Sequence, residues 1–118
     1  MTASGQNFDC YAGDDAQPLF TIYDNNGNAI NISTATDIEW IAYKDWTLPA
    51  VLTKKKSVAS GITFVTDGSN GQIYVNIAAG DTAPMDGWYF HSAVITDSFG
   101  KKTTFEIGLL AILQRGTL

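Results

Sequence analysis

Apolar residues recur at every second position along most of this chain, and nowhere over a useful length at the spacing of a helix face. Phe20 and Ile22 share one face of a segment running from Leu19 to Tyr23. Ile38, Trp40 and Ala42 share one face of Thr36 to Lys44, with Asp37, Glu39, Ile41 and Tyr43 on the other, the alternation of a half-buried sheet. Ile73, Val75 and Ile77 point inward from Gln72 to Ala78. The longest apolar stretch runs from Asp86 to Leu113 and reads as two strands folded about Asp97-Ser98-Phe99-Gly100. In its second strand Phe105, Ile107, Leu109, Ala111 and Leu113 are expected to alternate toward the core.

The punctuation between these runs supports strands. Gly13-Asp14-Asp15-Ala16-Gln17-Pro18 is a turn after a short first strand, Phe8 to Tyr11, because Pro18 cannot donate to a ladder. Asp24-Asn25-Asn26-Gly27-Asn28 is the strongest turn signal, because Asn-Gly tolerates positive φ at both central positions of a hairpin turn. Ala29 to Ile32 resumes the strand, and Ser33 to Thr36 is a bend. Asp45 to Ala50 loops out before a polar edge strand, Val51 to Lys56, whose lysines guard against sheet-to-sheet pairing. Gly61 to Thr66 is a strand joined to the next by Asp67-Gly68-Ser69-Asn70-Gly71. Ala79 to Met85 is a crossing loop with one helical turn, capped by Asp81 or Thr82. Short strands at intervals of about 8–12 residues predict an all-β protein, an Ig-like antiparallel β-sandwich of seven to eight strands. Residues 1–118 form a single domain, with 1–6 and 115–118 as terminal arms.

Composition narrows the classes of function. Charged residues make up 16% of the chain against a usual quarter or so, which leaves part of the surface suited to another protein. A net charge of -5 argues against nucleic acid as partner, since that needs a basic face, and Lys54-Lys55-Lys56 is the only basic cluster. One cysteine, Cys10, cannot form an internal disulfide. The N-terminus lacks a signal-peptide pattern and no apolar run approaches a membrane span, so synthesis in the cytoplasm without membrane insertion is expected.

Catalytic chemistry does not emerge. Asp24-x-Asn26-x-Asn28 begins like a calcium loop, but Ala29 and Ala35 stand where that loop needs Gly and a bidentate Glu. His91 is the only histidine and reads as a cross-strand or surface partner. Ser92 points to the opposite face, so the two do not pair as base and nucleophile. Glu39 and Glu106, the only glutamates, read as solvent-facing rather than as a glycosidase pair. The chain is therefore read as a non-enzyme without metal or cofactor. Asn31-Ile32-Ser33 matches a glycosylation acceptor without a secretory context. Trp40, Tyr43, Trp46, Trp88 and Tyr89 offer a sugar-stacking platform as an alternative to core packing.

The order Gly13-Asp14-Asp15, then Pro18-Leu-Phe-Thr-Ile-Tyr-Asp24 with Gly27 and Ile30 to Thr36, resembles the opening of small tailed-phage virion domains. Gly71-Gln-Ile-Tyr-Val, Asp81-Thr-Ala, Gly87-Trp-Tyr and Asp97-Ser-Phe-Gly100 continue it. The pattern is similar to the N-terminal domain of upper-baseplate proteins and related phage β-sandwich domains, with Ala29 and Ala35 departing from the usual Pro and Gly. It implies a virion protein, either a tail or baseplate adaptor or a head-decorating subunit. Such a protein docks on other virion proteins, in repeated copies or as a homo-oligomer. The expected interaction surface is Trp46, Tyr43, Trp88, Tyr89 and Phe99. The alternative is a carbohydrate-binding module that recognises surface glycans through exposed aromatics.

Overall fold

The computed structural model describes residues 6–24, 26–45, 49–58 and 61–113, with the side chain of Glu106 outside that set. Eight strands and one helical turn follow in order: β1 (Phe8–Tyr11), β2 (Leu19–Thr21), β3 (Asp37–Tyr43), β4 (Leu52–Lys55), β5 (Ile62–Phe64), β6 (Gln72–Val75), α1 (Ala79–Thr82), β7 (Gly87–Thr96) and β8 (Lys102–Leu113). They form an all-β, Ig-like sandwich of two sheets, ordered β1-β8-β7-β3-β4 and β2-β6-β5. Every pairing is antiparallel except one. β1 runs parallel to β8, with Phe8 opposite Leu110 and Tyr11 opposite Leu113, so the larger sheet is mixed.

The inner faces meet in one core. Trp40, Ile38 and Ala42 from β3 are fully buried, as are Ile73 and Val75 from β6, and Phe20, Ile22, Ile32 and Ile62 pack with them. Trp40 lies nearly parallel to Phe20, 6.5 Å between ring centres, which ties the two sheets through stacked aromatics. This inner set is the one that the period-2 pattern predicts for β3 and β6.

β8 departs from its predicted alternation. His91 pairs with Gly108 while Ser92 pairs with Glu106, so Ile107 is an extra residue in β8, a bulge. An inserted residue exchanges the faces of everything beyond it. Ile107, Leu110 and Ile112 therefore reach the core, whereas Leu109 is half-buried and Leu113 is 40% exposed. The expectation that Leu109, Ala111 and Leu113 face inward is corrected by that one residue. Gly108 is needed here because a Cβ would come within 2.7 Å of the Gln6 carbonyl oxygen.

Gln6 locks the start of β1 into both sheets. Its backbone N–H donates to the Ile107 carbonyl at 3.0 Å. Its side-chain amide binds the backbone of Thr21, accepting from N–H at 2.7 Å and donating to the carbonyl at 2.5 Å. An amide side chain thus stands in for a neighbouring strand at the edge of β2.

Two turns share one hydrogen-bond pattern. Asp24 N–H donates to the Asn28 carbonyl at 2.9 Å and Gly27 N–H to the Asp24 carbonyl at 3.1 Å. Asp24 Oδ1 accepts from the N–H groups of Asn26 and Asn28. Asp97 repeats this with Lys101, Gly100 and Phe99, and Gly27 and Gly100 both sit at φ 82°. The aspartate carboxylate holds the Asp24 loop, with Gly27 at positive φ. The N-cap of the helical turn is Ala78 rather than Asp81 or Thr82, and Asp81, the third helical residue, reaches back to the Ala78 N–H at 2.8 Å.

Candidate interaction surface

The outer face of the larger sheet divides into two halves. From β1 to β3, side chains on that face run Tyr11 and Leu113, then Asp9, Ala111 and Trp88, then Leu109, Phe90 and Tyr43, then Ser92 and Ile41. Beyond them come Thr104, Val94, Glu39 and Lys55, and then Lys102, Thr96 and Asp37. One half is mostly apolar, with Asp9 exposed at its β1 edge, the other is mostly polar, and the smaller sheet lies on the opposite side. Trp88 is 64% exposed, Tyr11 48% and Leu113 40%. Tyr43 and Phe90 are half-buried and lie 5.9 Å apart between ring centres.

The expected surface is therefore partly assembled and partly not. Tyr43 and Trp88 share this face. Tyr89, adjacent to Trp88, points the other way and is 5% exposed, so its assignment to an exposed surface is corrected. Its hydroxyl accepts from the Asp86 N–H at 2.9 Å, and the Lys44 ammonium sits 4.4 Å from its ring centre. Phe99 is 93% exposed at the tip of the β7–β8 turn. At about 3.3 Å per residue, Trp88 is roughly 26 Å from Thr96, so Phe99 belongs to a separate site. Trp46 lies outside the described residues. Of the five aromatics offered as a sugar platform, Trp40 and Tyr89 belong to the core.

Tyr11, Leu113, Leu109 and Phe90 were not singled out by sequence reasoning. Leu109 and Leu113 were placed in the core, and Tyr11 joins the patch through a parallel pairing that alternation does not reveal. Gly108 was the available signal, because a glycine within a strand marks a bulge or a close approach.

The one histidine is committed to structure. His91 is 1% exposed, in the core rather than at the surface. Its Nδ1 accepts from Trp40 Nε1–H at 3.1 Å, which leaves the proton on Nε2 to donate to the Gln6 carbonyl at 3.0 Å. Burial pushes its pKa down to about 4, with the Gln6 bond acting weakly in the other direction. Ser92 lies on the outer face, 3.2 Å from the Tyr43 hydroxyl, so it and His91 do point apart.

A groove of about 690 Å³ runs between β4 and the end of β6, lined in part by Asp15, Lys54, Lys55 and Asn76. Each of these is already paired. Lys54 meets Asp81 at 2.6 Å, Lys55 meets Glu39 at 3.4 Å, and Asp15 accepts from Ala79 N–H at 2.7 Å. Gln17 donates to Asn76 at 2.7 Å. Burial raises the Asp81 carboxyl, but its bonds from Lys54 and Ala78 outweigh this and hold it below the usual range. Burial, aided by Asp9, raises the Cys10 thiol, which makes it a poor nucleophile. Among the described residues no cluster of three or more His, Cys, Asp or Glu is placed to hold a metal ion. None of the described helices is long and apolar enough to cross a membrane.

Comparison with known proteins adds little. No family model matches the chain, and no curated protein matches it. Among solved structures, the chain is similar to AggA, the major subunit of aggregative adherence fimbriae type I from Escherichia coli. That match has a TM-score of 0.30 at 13% identity, covers 91% of this chain and 89% of that one, and carries no argument about function.

Proposed function

We propose that the chain is a non-enzymatic structural protein of a tailed-phage virion, a tail or baseplate adaptor or a head-decorating subunit. It is made in the host cytoplasm and acts by docking on other virion proteins. The observation that carries a docking role is the apolar half of the outer sheet face, with Trp88, Tyr11 and Leu113 open to solvent. Four strands about 4.8 Å apart over some 20 Å give a footprint of roughly 400 Å². A patch of that size lies within the range of the largest apolar patch on an ordinary monomer, which is often functional, and it is about half of what one side of a stable complex buries. Each contact is therefore weak alone and gains strength from repetition in a symmetric assembly. The virion setting rests on the turn-and-strand resemblance of residues 13–113.

Of the five aromatics first offered as a sugar platform, the glycan reading keeps Tyr43 and Trp88 on one described face. Mass spectrometry of particles purified from the lysate of the encoding phage tests the proposal. The chain is expected at a copy number matching a ring or lattice. Particles without it, or a monomer that binds glycans on an array, overturn the reading.

A further inference from the structure

Asparagine is followed by glycine at two places in this chain, Asn26-Gly27 and Asn70-Gly71. The two steps share their backbone setting. Gly27 is at φ 82° and Gly71 at φ 75°. Each glycine N–H donates at 3.1 Å to the carbonyl three residues before it, that of Asp24 in one turn and Gly68 in the other. Both asparagines are exposed. Neither the dipeptide nor its local conformation distinguishes them.

Their surroundings do. Gln72 holds the Asn70 amide at both ends: Asn70 Oδ1 accepts from the Gln72 backbone N–H at 3.1 Å, and Nδ2 donates to Gln72 Oε1 at 3.2 Å. Gly71 is buried, and a Cβ on it would lie 2.7 Å from the Ile30 carbonyl oxygen. Its own carbonyl accepts from the Ile22 N–H at 2.9 Å. At the other step no hydrogen bond to a described residue holds the Asn26 amide. Gly27 is exposed, and a Cβ there would meet nothing within 4 Å. The Asn26 side chain and the Gly27 nitrogen are free to approach each other, whereas Asn70 and Gly71 are locked.

We propose that Asn26 is a site of spontaneous covalent modification, in which water converts its amide to a carboxylate, and that the fold protects Asn70 from the same reaction. The Gly27 nitrogen, having given its proton to solvent base, attacks Asn26 Cγ. The new C–N bond closes a five-membered succinimide ring, the Cγ–Nδ2 bond breaks, and the amide nitrogen takes a solvent proton and leaves as ammonia. The step needs no enzyme because the reacting atoms are already neighbours in the chain. Glycine permits it because no Cβ stands in the way. Water then opens the ring. Attack at Cγ leaves aspartate in an ordinary backbone, and attack at the Asn26 backbone carbonyl carbon leaves isoaspartate, with the chain running through Cβ and Cγ. Either product adds a negative charge to a chain already at -5, beside the Asp24 carboxylate that accepts the N–H groups of residues 26 and 28. Isoaspartate also lengthens the backbone between the Asp24 carbonyl and the Gly27 N–H, which breaks the bond that closes the turn. The inference does not depend on the virion reading.

Peptide mapping by mass spectrometry tests it, on the full chain aged at mildly alkaline pH, folded in buffer and in parallel unfolded in guanidinium chloride. In the folded chain Asn26 should convert at least about tenfold faster than Asn70, which reacts only after its turn has opened. In guanidinium chloride the two should convert at similar rates, because each is then an exposed Asn-Gly step. Asn26→Ser should remove the early product and leave the rate at Asn70 unchanged. Equal rates at the two sites in the folded chain overturn the proposal. So does a folded Asn26 that stays intact while the unfolded chain converts, or an early product that maps to another asparagine.

Discussion

β7 presents two faces of similar greasiness and opposite fate. On the inner side Tyr89, His91 and Ala93 are all buried, with Ile95 packed beside them. On the outer side Trp88 stands open, with Phe90 and Val94 half-covered. The inner side holds the strand's one basic group, and that group is sealed in and bonded at both nitrogens. The difference shows that hydrophobicity along a strand does not choose the buried face when both sets of alternate residues are apolar. The choice is made by what stands across from each face: the smaller sheet on one side and solvent on the other.

The largest effect that can break this contrast lies on the inner face. Trp40→Ala removes the ring stacked on Phe20 and the donor to His91, and should cost about 3–5 kcal/mol in urea unfolding. A loss under about 1 kcal/mol would mean that the two sheets are not joined through this ring.

Acid should act next. With His91 neutral in the fold down to about pH 4 and ordinary near 6.5 when unfolded, the unfolded chain binds the extra proton in between. Stability is then full above pH 6.5 and falls by about 1.4 kcal/mol per unit as pH drops toward 4, on the order of 3 kcal/mol in all. Comparing unfolding at several pH values with His91→Gln, which lacks the titrating ring, checks this. An equal slope in both proteins would assign the acid sensitivity to other groups.

Gly108→Ala tests the approach of Gln6 to the same inner site. The added methyl meets the Gln6 carbonyl and the Asn7 side chain, and should cost roughly 1–3 kcal/mol. It should also raise hydrogen exchange in β1, and unchanged exchange there would show that Gln6 does not hold the strand. The smallest effect belongs to the outer face. Trp88→Ser should move stability by no more than about 0.5 kcal/mol while reducing binding to the docking partner. A large loss of stability with that substitution would make Trp88 a core residue and erase the contrast.

Much of the inner architecture was legible because period-2 patterning in β3 and β6 had one apolar face and one mixed face. Trp40 and Ile73 could then lie only inward. Alternation failed in β8, where Leu109 to Leu113 are apolar on both faces and a single bulged residue reverses their directions. Tyr89 was misplaced for the same reason: it sits beside Trp88, and both are large, aromatic and possible on either side. His91 looked like a surface or cross-strand group because its two partners, Trp40 and the Gln6 carbonyl, are distant in sequence. The acidic turns were recognised, but their shape depended on a carboxylate binding local N–H groups rather than on Asn-Gly.

Local chemistry settles the class of this molecule: alternating residues and Asp–Gly turns force short strands, and too few charges remain to coat the whole surface. Long-range contacts settle the rest. The parallel place of β1, the Ile107 bulge and the depth of His91 depend on which segments meet across the fold. No window of adjacent residues carries that information, because the energy that selects it arises only when the two sheets close on each other.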